Sequence, residues 1–223
     1  GLEVEQADAA LELFLKIFSL AGIGRVLDEL NARAAETDEP PPPAIASFLE
    51  HGARYVATVD AVVRFLQGRD PGFALRIVTR EVLPEGPRFS AIDQGPGARE
   101  DDPLAWAFGV LGIADRAKHL ASLYIDDLAD VIRDGIAPDF ELARYAERLA
   151  ASAPTFEPLR EALEGEPTLV DDMIDELAGE LYARHRPDVI GLTVPFPGNV
   201  YRALRIARAM RPLGVKAILG GGR

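Results

Sequence analysis

Between Pro187 and Pro195 the chain gathers Val189, Ile190, Leu192 and Val194 into one short apolar run, and this run constrains the fold more than any other stretch. It is rich in β-branched residues and bounded by prolines, so it reads as a buried strand of a parallel sheet. Beyond it Pro195, Pro197, Gly198 and Asn199 break the ladder and form a loop. Tyr201, Leu204, Ile206, Ala207 and Met210 then recur at helical spacing, from Val200 to Met210. A second strand, Val215 to Leu219, stops at Gly220, Gly221 and Gly222. The pattern predicts a β-loop-α-β unit over residues 187–223, with a right-handed crossover. In open α/β sheets ligands bind outside the carboxyl ends of the strands, where both breaker clusters fall. Glycines, having no side chains, let a flat or phosphate-bearing group approach the main chain.

The rest of the chain reads as mostly helical. Leu2 and Val4 alternate with Glu3 and Glu5 ahead of Asp8, which fits a strand over residues 1–8 or the first turn of the next helix. Leu11, Phe14, Leu15 and Phe18 fall at helical spacing, Gly22 and Gly24 punctuate, and Val26, Leu27 and Leu30 continue a second helix up to the run Pro40 to Pro43. Ile45, Phe48, Tyr55, Val56, Val59, Val62, Val63 and Leu66 describe a long amphipathic helix, with Gly52 as a place for a bend. A further helix is expected from Phe73 towards Leu83. Glycine, proline and acidic residues from Pro84 to Pro103 predict an irregular surface loop. Helical segments follow at Leu104–Leu111, Arg116–Arg133, Phe140–Ala150, Phe156–Leu163 and Leu169–Arg186. The architecture expected is therefore α/β: a strand at 1–8, a large helical insertion at 9–186, and the β-loop-α-β unit at 187–223.

Composition narrows the functions open to such a chain. With 223 residues and 48% apolar content it can fill one large core or two small ones. It contains no run of eighteen apolar residues and does not open on a basic segment followed by an apolar one, so a cytoplasmic location is expected. Cysteine is absent, which excludes disulfides, thiolate metal sites and a cysteine nucleophile within this sequence. The formal charge of −12 is spread along the helices and opposes binding to phosphate backbones. The opening on GLEVEQAD and the stop at Arg223, just where a glycine-rich loop should lead into a helix, fit a piece of a longer protein.

The string DVIGLTVPFPGNVYRALRIARAMRPLGVKAILGGG, from Asp188 to Gly222, resembles the N-terminal cobalamin (B12)-binding domain of cobalamin-dependent radical SAM proteins. Gly1, Val4 and Asp8 are similar to positions in that family's second strand. The passage LYIDDLADVIRD, from Leu123 to Asp134, resembles a subgroup with a large insertion between its second and third strands. The resemblance implies a Rossmann-like, flavodoxin-type sheet of order 2-1-3-4-5, of which this chain supplies part. It implies that Thr193, Val194, Pro195, Phe196, Pro197, Gly198 and Asn199 border the corrin ring. Gly220, Gly221 and Gly222 would accommodate its nucleotide tail. It also implies a downstream domain carrying SAM and a [4Fe-4S] cluster, so that this segment binds the cofactor while the intact enzyme performs methyl transfer or a radical rearrangement. Two family features have no counterpart here: the lower-ligand motif Asp-x-His-x-x-Gly and the cysteine triplet C-x-x-x-C-x-x-C.

Two readings compete. Asp126, Asp127 and Asp130 spell DDxxD, and Asp171, Asp172 and Asp175 spell it again about 45 residues later. Facing helices with this spacing would hold Mg²⁺ and a diphosphate, as in isoprenyl diphosphate synthases, whose all-α fold has no place for the terminal strands. Solvated helix faces are the simpler account in a chain with 36 acidic residues. The other reading is a non-catalytic helical interaction module. His51, His119 and His185 are far apart on helices and read as surface or helix-end residues, while Trp106, Phe108, Leu111 and Tyr124 read as core.

Overall fold

The computed structural model describes residues 3–90, 112–140, 142, 155–194 and 199–221. The chain divides into two compact units. One combines Gly1–Phe14 with Asp139–Arg223, and the other is Leu15–Pro138. The stretch expected as one insertion therefore contributes to both. Trp106, Phe108 and Leu111, the expected helix Leu104–Leu111 and nearly all of Phe140–Ala150 lie outside the described residues.

The described regular elements of the unit Leu15–Pro138 are all helices. After α1 (Ala9–Ile17), within which the division falls, come α2 (Leu20–Ala35), α3 (Pro43–Leu66), α4 (Phe73–Val78), a 3₁₀ turn at Pro87–Phe89, and α5 (Gly112–Gly135). The break between the first two helices comes at Ser19, earlier than Gly22 and Gly24. The Ser19 side chain accepts the Gly22 N–H at 3.0 Å, and Asp60 of α3 accepts the Leu20 N–H at 2.9 Å. Two side-chain acceptors on the first orphan donors start a helix here more decisively than two glycines interrupt one. The proline run acts at both ends: α2 stops before it, and Pro43 opens α3, whose fixed φ suits a first helical position.

Ile23, Val26, Phe48, Tyr55, Val59, Ile77, Tyr124, Leu128 and Ile132 fill this unit's core. Tyr124, read as core from the sequence, is fully buried and stacks on Tyr55 with ring centroids 5.2 Å apart. The expected irregular loop from Pro84 is different in its described part. Phe89 is buried, and the backbone N–H groups of Gly86 and Arg88 donate to Asp127 at 3.1 and 3.0 Å. The sequence reading missed this because the partner carboxylate lies some 40 residues away.

In the other unit, residues 3–8 form no strand. Val4 is exposed, and Asp8 turns its carboxylate onto the Leu11 N–H at 3.0 Å, making the start of α1. Two apolar residues in alternation hold an edge less firmly than an N-cap aspartate starts a helix. The later elements are α6 (Glu157–Glu164), α7 (Leu169–His185), β1 (Val189–Thr193), α8 (Val200–Met210) and β2 (Lys216–Gly220). Thr168 and Asp171 cap α7 reciprocally, each side chain taking the other's backbone N–H. β1 and β2 are parallel, with Val189 opposite Lys216 and Thr193 opposite Gly220. An α/β architecture with a small parallel sheet and much helix is thus present.

Burial of the strands is where the sequence reading fails. β1 alternates exposed with half-exposed residues and β2 is exposed throughout, with Ile218 at 62% and Leu219 at 44%. Among the described residues, Val189, Ile218 and Leu219 are thus apolar strand residues left exposed. No described helix is long and apolar enough to cross a membrane.

Candidate functional site

Parallel pairing fixes the first property of the site: both strands end on the same rim. Thr193 is the last residue of β1 and pairs with Gly220, the last of β2, and the Val194 N–H donates to the Gly220 carbonyl at 2.8 Å. Gly221 follows with φ +96°, a backbone angle that side chains rarely tolerate. A Cβ there would meet Thr193 Cγ2 at 2.9 Å and the Val194 nitrogen at 3.2 Å, so the two segments touch as they leave the sheet. Gly220 is the opposite case: no described residue lies within 4 Å of a Cβ built on it. Gly221 is thus a glycine for the fold's sake. Among the described residues, the open ground at the rim lies over Gly220.

Asn199 stands at the N-cap of α8 without a side-chain capping bond, so the helix start does not consume its amide. Of the residues expected at the site, the structure brings together Thr193, Val194, Gly220 and Gly221 and places Asn199 at the head of the helix that follows. Pro195, Phe196, Pro197, Gly198 and Gly222 lie outside the described residues.

Behind the head of α8 is a polar cluster that the sequence reading did not pick out. The Tyr201 hydroxyl donates to Asp171 Oδ1 at 2.7 Å. One turn further on, the Arg205 guanidinium grips both oxygens of Asp175 at 3.0 and 2.7 Å and lies 3.7 Å from Asp171. Asp171 and Arg205 are buried. Burial pushes the Tyr201 hydroxyl up to about 12, with the neighbouring Asp171 adding to it. The hydrogen bonds that Arg205 donates to Asp175 hold its guanidinium above its ordinary range. Arg208 donates to the Leu163 carbonyl at the end of α6, satisfying an orphan acceptor there. Tyr201 and Arg205 share the one-turn spacing of Asp171 and Asp175, but nothing in the sequence says that the two pairs meet.

These bonds also bear on the diphosphate reading. The two aspartate-rich stretches belong to different units, on α5 and α7, and each has a basic partner of its own. Arg88 binds both oxygens of Asp130 at 2.6 and 2.9 Å, Arg133 adds a third contact, and Asp127 accepts two backbone N–H groups. Carboxylates engaged in this way offer few lone pairs to a metal, and no described group of three or more acidic or histidine side chains is placed to hold one. His185 pairs with Glu5, at the end of α7. It precedes β1 and so lies at the strand's start.

No family model matches the chain, and neither a curated protein nor a solved structure does.

Proposed function

We propose that this chain is the cobalamin-binding part of a B12-dependent radical SAM enzyme of the cytoplasm, in which it seats the corrinoid while a downstream SAM and [4Fe-4S] domain supplies radical chemistry. The observation that carries the reading is the shared rim of β1 and β2. Exposed Thr193, the Asn199 amide that caps no N–H of α8, and the space over Gly220 that no described residue fills stand where a parallel sheet offers a ligand its strand ends. A corrin ring is a broad, flat group edged with amides. A hydroxyl and an amide side chain can bond those amides, and a glycine with open space above it admits a planar heterocycle. The residues present therefore fit such a group. When bound, the corrinoid would carry a methyl group or assist a rearrangement. The residues of this chain would hold and orient it. Thr193 and Asn199 would bond its rim, Gly220 would leave room for its tail, and Gly221 would keep the strand ends close enough to form one surface.

The fuller flavodoxin-type sheet belongs to the same proposal. Exposed Val189, Ile218 and Leu219 support it, since they need further strands and helices to cover them. The diphosphate reading has less support, because Asp127, Asp130 and Asp175 have basic or backbone partners. Titrating hydroxocobalamin into the intact protein tests the proposal. A saturable shift in the corrinoid absorbance is expected, weakened by Gly220→Val and Thr193→Val. A flat titration rules the reading out.

A further inference from the structure

The Tyr201 and Arg205 cluster has a physical oddity that asks for a function. Burying a guanidinium against two carboxylates costs desolvation that the ion pairs roughly offset, so an apolar cluster of the same size would hold α8 to α7 about as well. Ala203, Ile206 and Met210 already give α8 an apolar face. What a forked ion pair adds is geometry. Apolar faces permit a helix to slide and rotate, whereas two nitrogens on two carboxylate oxygens do not. The cluster has contacts at two successive turns of α8, Tyr201 to Asp171 and Arg205 to Asp175, so it fixes both the rotation and the axial position of that helix. Asp171 is itself held by the capping box at the start of α7, with Thr168 at 2.9 Å. Tyr201 is in the first turn of α8, two residues after Asn199.

We propose that Tyr201 and Arg205 are positioning residues for the strand-end rim, locking the head of α8 to the capped start of α7 so that Asn199 meets the ligand in one fixed geometry. This rests on the cobalamin reading and deepens it. Neither side chain need touch the ligand. Their contribution is to remove the freedom that Asn199 would otherwise lose on binding.

The test is the dissociation constant for hydroxocobalamin of the intact protein, measured beside unfolding midpoints at a temperature where every variant is folded. Tyr201→Phe keeps the ring and loses the bond to Asp171. Arg205→Lys keeps the charge and loses the fork. Leu177→Ala opens a cavity in α7 without touching the cluster. Tyr201→Phe and Arg205→Lys are expected to weaken binding about tenfold each, the loss of one charge-assisted bond's worth of geometry. Leu177→Ala should lower the midpoint and leave the affinity at the wild-type value. If Tyr201→Phe binds like wild type, or if Leu177→Ala weakens binding as much for the same loss of stability, the cluster is merely structural and the inference is overturned. Should Arg205→Lys not fold, Tyr201→Phe decides alone. A wild-type protein that does not bind removes the cobalamin reading and this inference together. Normal wild-type binding with unaffected variants removes this inference alone.

Discussion

A Cβ atom on Gly221 would lie 2.9 Å from Thr193 Cγ2, inside the distance at which side chains pack, while the same atom on Gly220 would meet no described residue within 4 Å. Adjacent glycines in one sequence run thus answer to different demands. Gly221→Val combines a left-handed backbone angle with a steric clash, and should cost at least about 1–3 kcal/mol of stability. Gly220→Val sits in open space and should leave urea unfolding within about 0.5 kcal/mol of wild type. Denaturation curves for the two variants check this, and equal losses would show that the rim is not built as described.

The order β1, α8, β2 and the bounds of α8 were legible because each depends on local chemistry: β-branched runs, helical spacing, and prolines or glycines at the breaks. What was not legible depends on partners remote in sequence. Nothing near Ser19 announces that Asp60 will take the Leu20 N–H, and nothing near Pro84 announces Asp127. At the site, the glycine run and Asn199 could be read from the sequence. The Tyr201 and Arg205 cluster could not, since its meaning lies in carboxylates 30 residues earlier. The exposure of β2 escaped for the opposite reason: an apolar strand is read as buried by composition, whatever is present to bury it.

Gly22 and Gly24 looked alike as punctuation, yet both are inside α2. A Cβ on Gly22 would come within 2.2 Å of the Ile17 carbonyl oxygen, whereas one on Gly24 meets nothing within 4 Å. Gly24→Ala should therefore stabilise the protein by about 0.5–1 kcal/mol, the helix-propensity gain. Gly22→Ala should destabilise it, because backbone cannot yield as a flexible side chain does. Thermal unfolding of the two variants should move in opposite directions.

The Tyr124 hydroxyl donates to the Tyr55 carbonyl at 2.9 Å and lies 3.0 Å from the Thr58 hydroxyl, all within the buried stack of the two rings. Tyr124→Phe preserves the stack and removes the oxygen. The expected loss is about 1–2 kcal/mol in chemical denaturation, the cost of a buried hydrogen bond without a cavity. A loss near zero would mean that water replaces the hydroxyl.

Asp127 and Asp130 are three residues apart on α5 and should respond to acid in opposite senses. Burial pushes Asp127 up from its ordinary 3.8 to about 6, against the opposing pull of the Arg88 and Gly86 N–H groups. Burial acts on Asp130 too, but the bonds and charge of Arg88 and Arg133 outweigh it and hold that carboxyl below 3.8. A raised carboxyl contributes stability that is fully present below its unfolded value and is lost as pH rises through its folded value. For Asp127 that window runs from 3.8 to about 6. A lowered carboxyl contributes above its unfolded value and fails as pH falls through its folded one, so Asp130 matters below 3.8. Asp127→Asn leaves one acceptor for two N–H donors, a loss of about 1–3 kcal/mol near neutral pH, and it also removes the titration that stabilises the wild type as pH falls. Its deficit against wild type should therefore grow as pH falls from roughly 6.5 to roughly 4. Carboxyl-carbon NMR should show Asp127 titrating near 6 and Asp130 below 3.8. A deficit that stays flat across that range would show that desolvation does not dominate at Asp127, and that the two N–H groups pinning Gly86 and Arg88 to α5 hold the carboxylate ionised throughout.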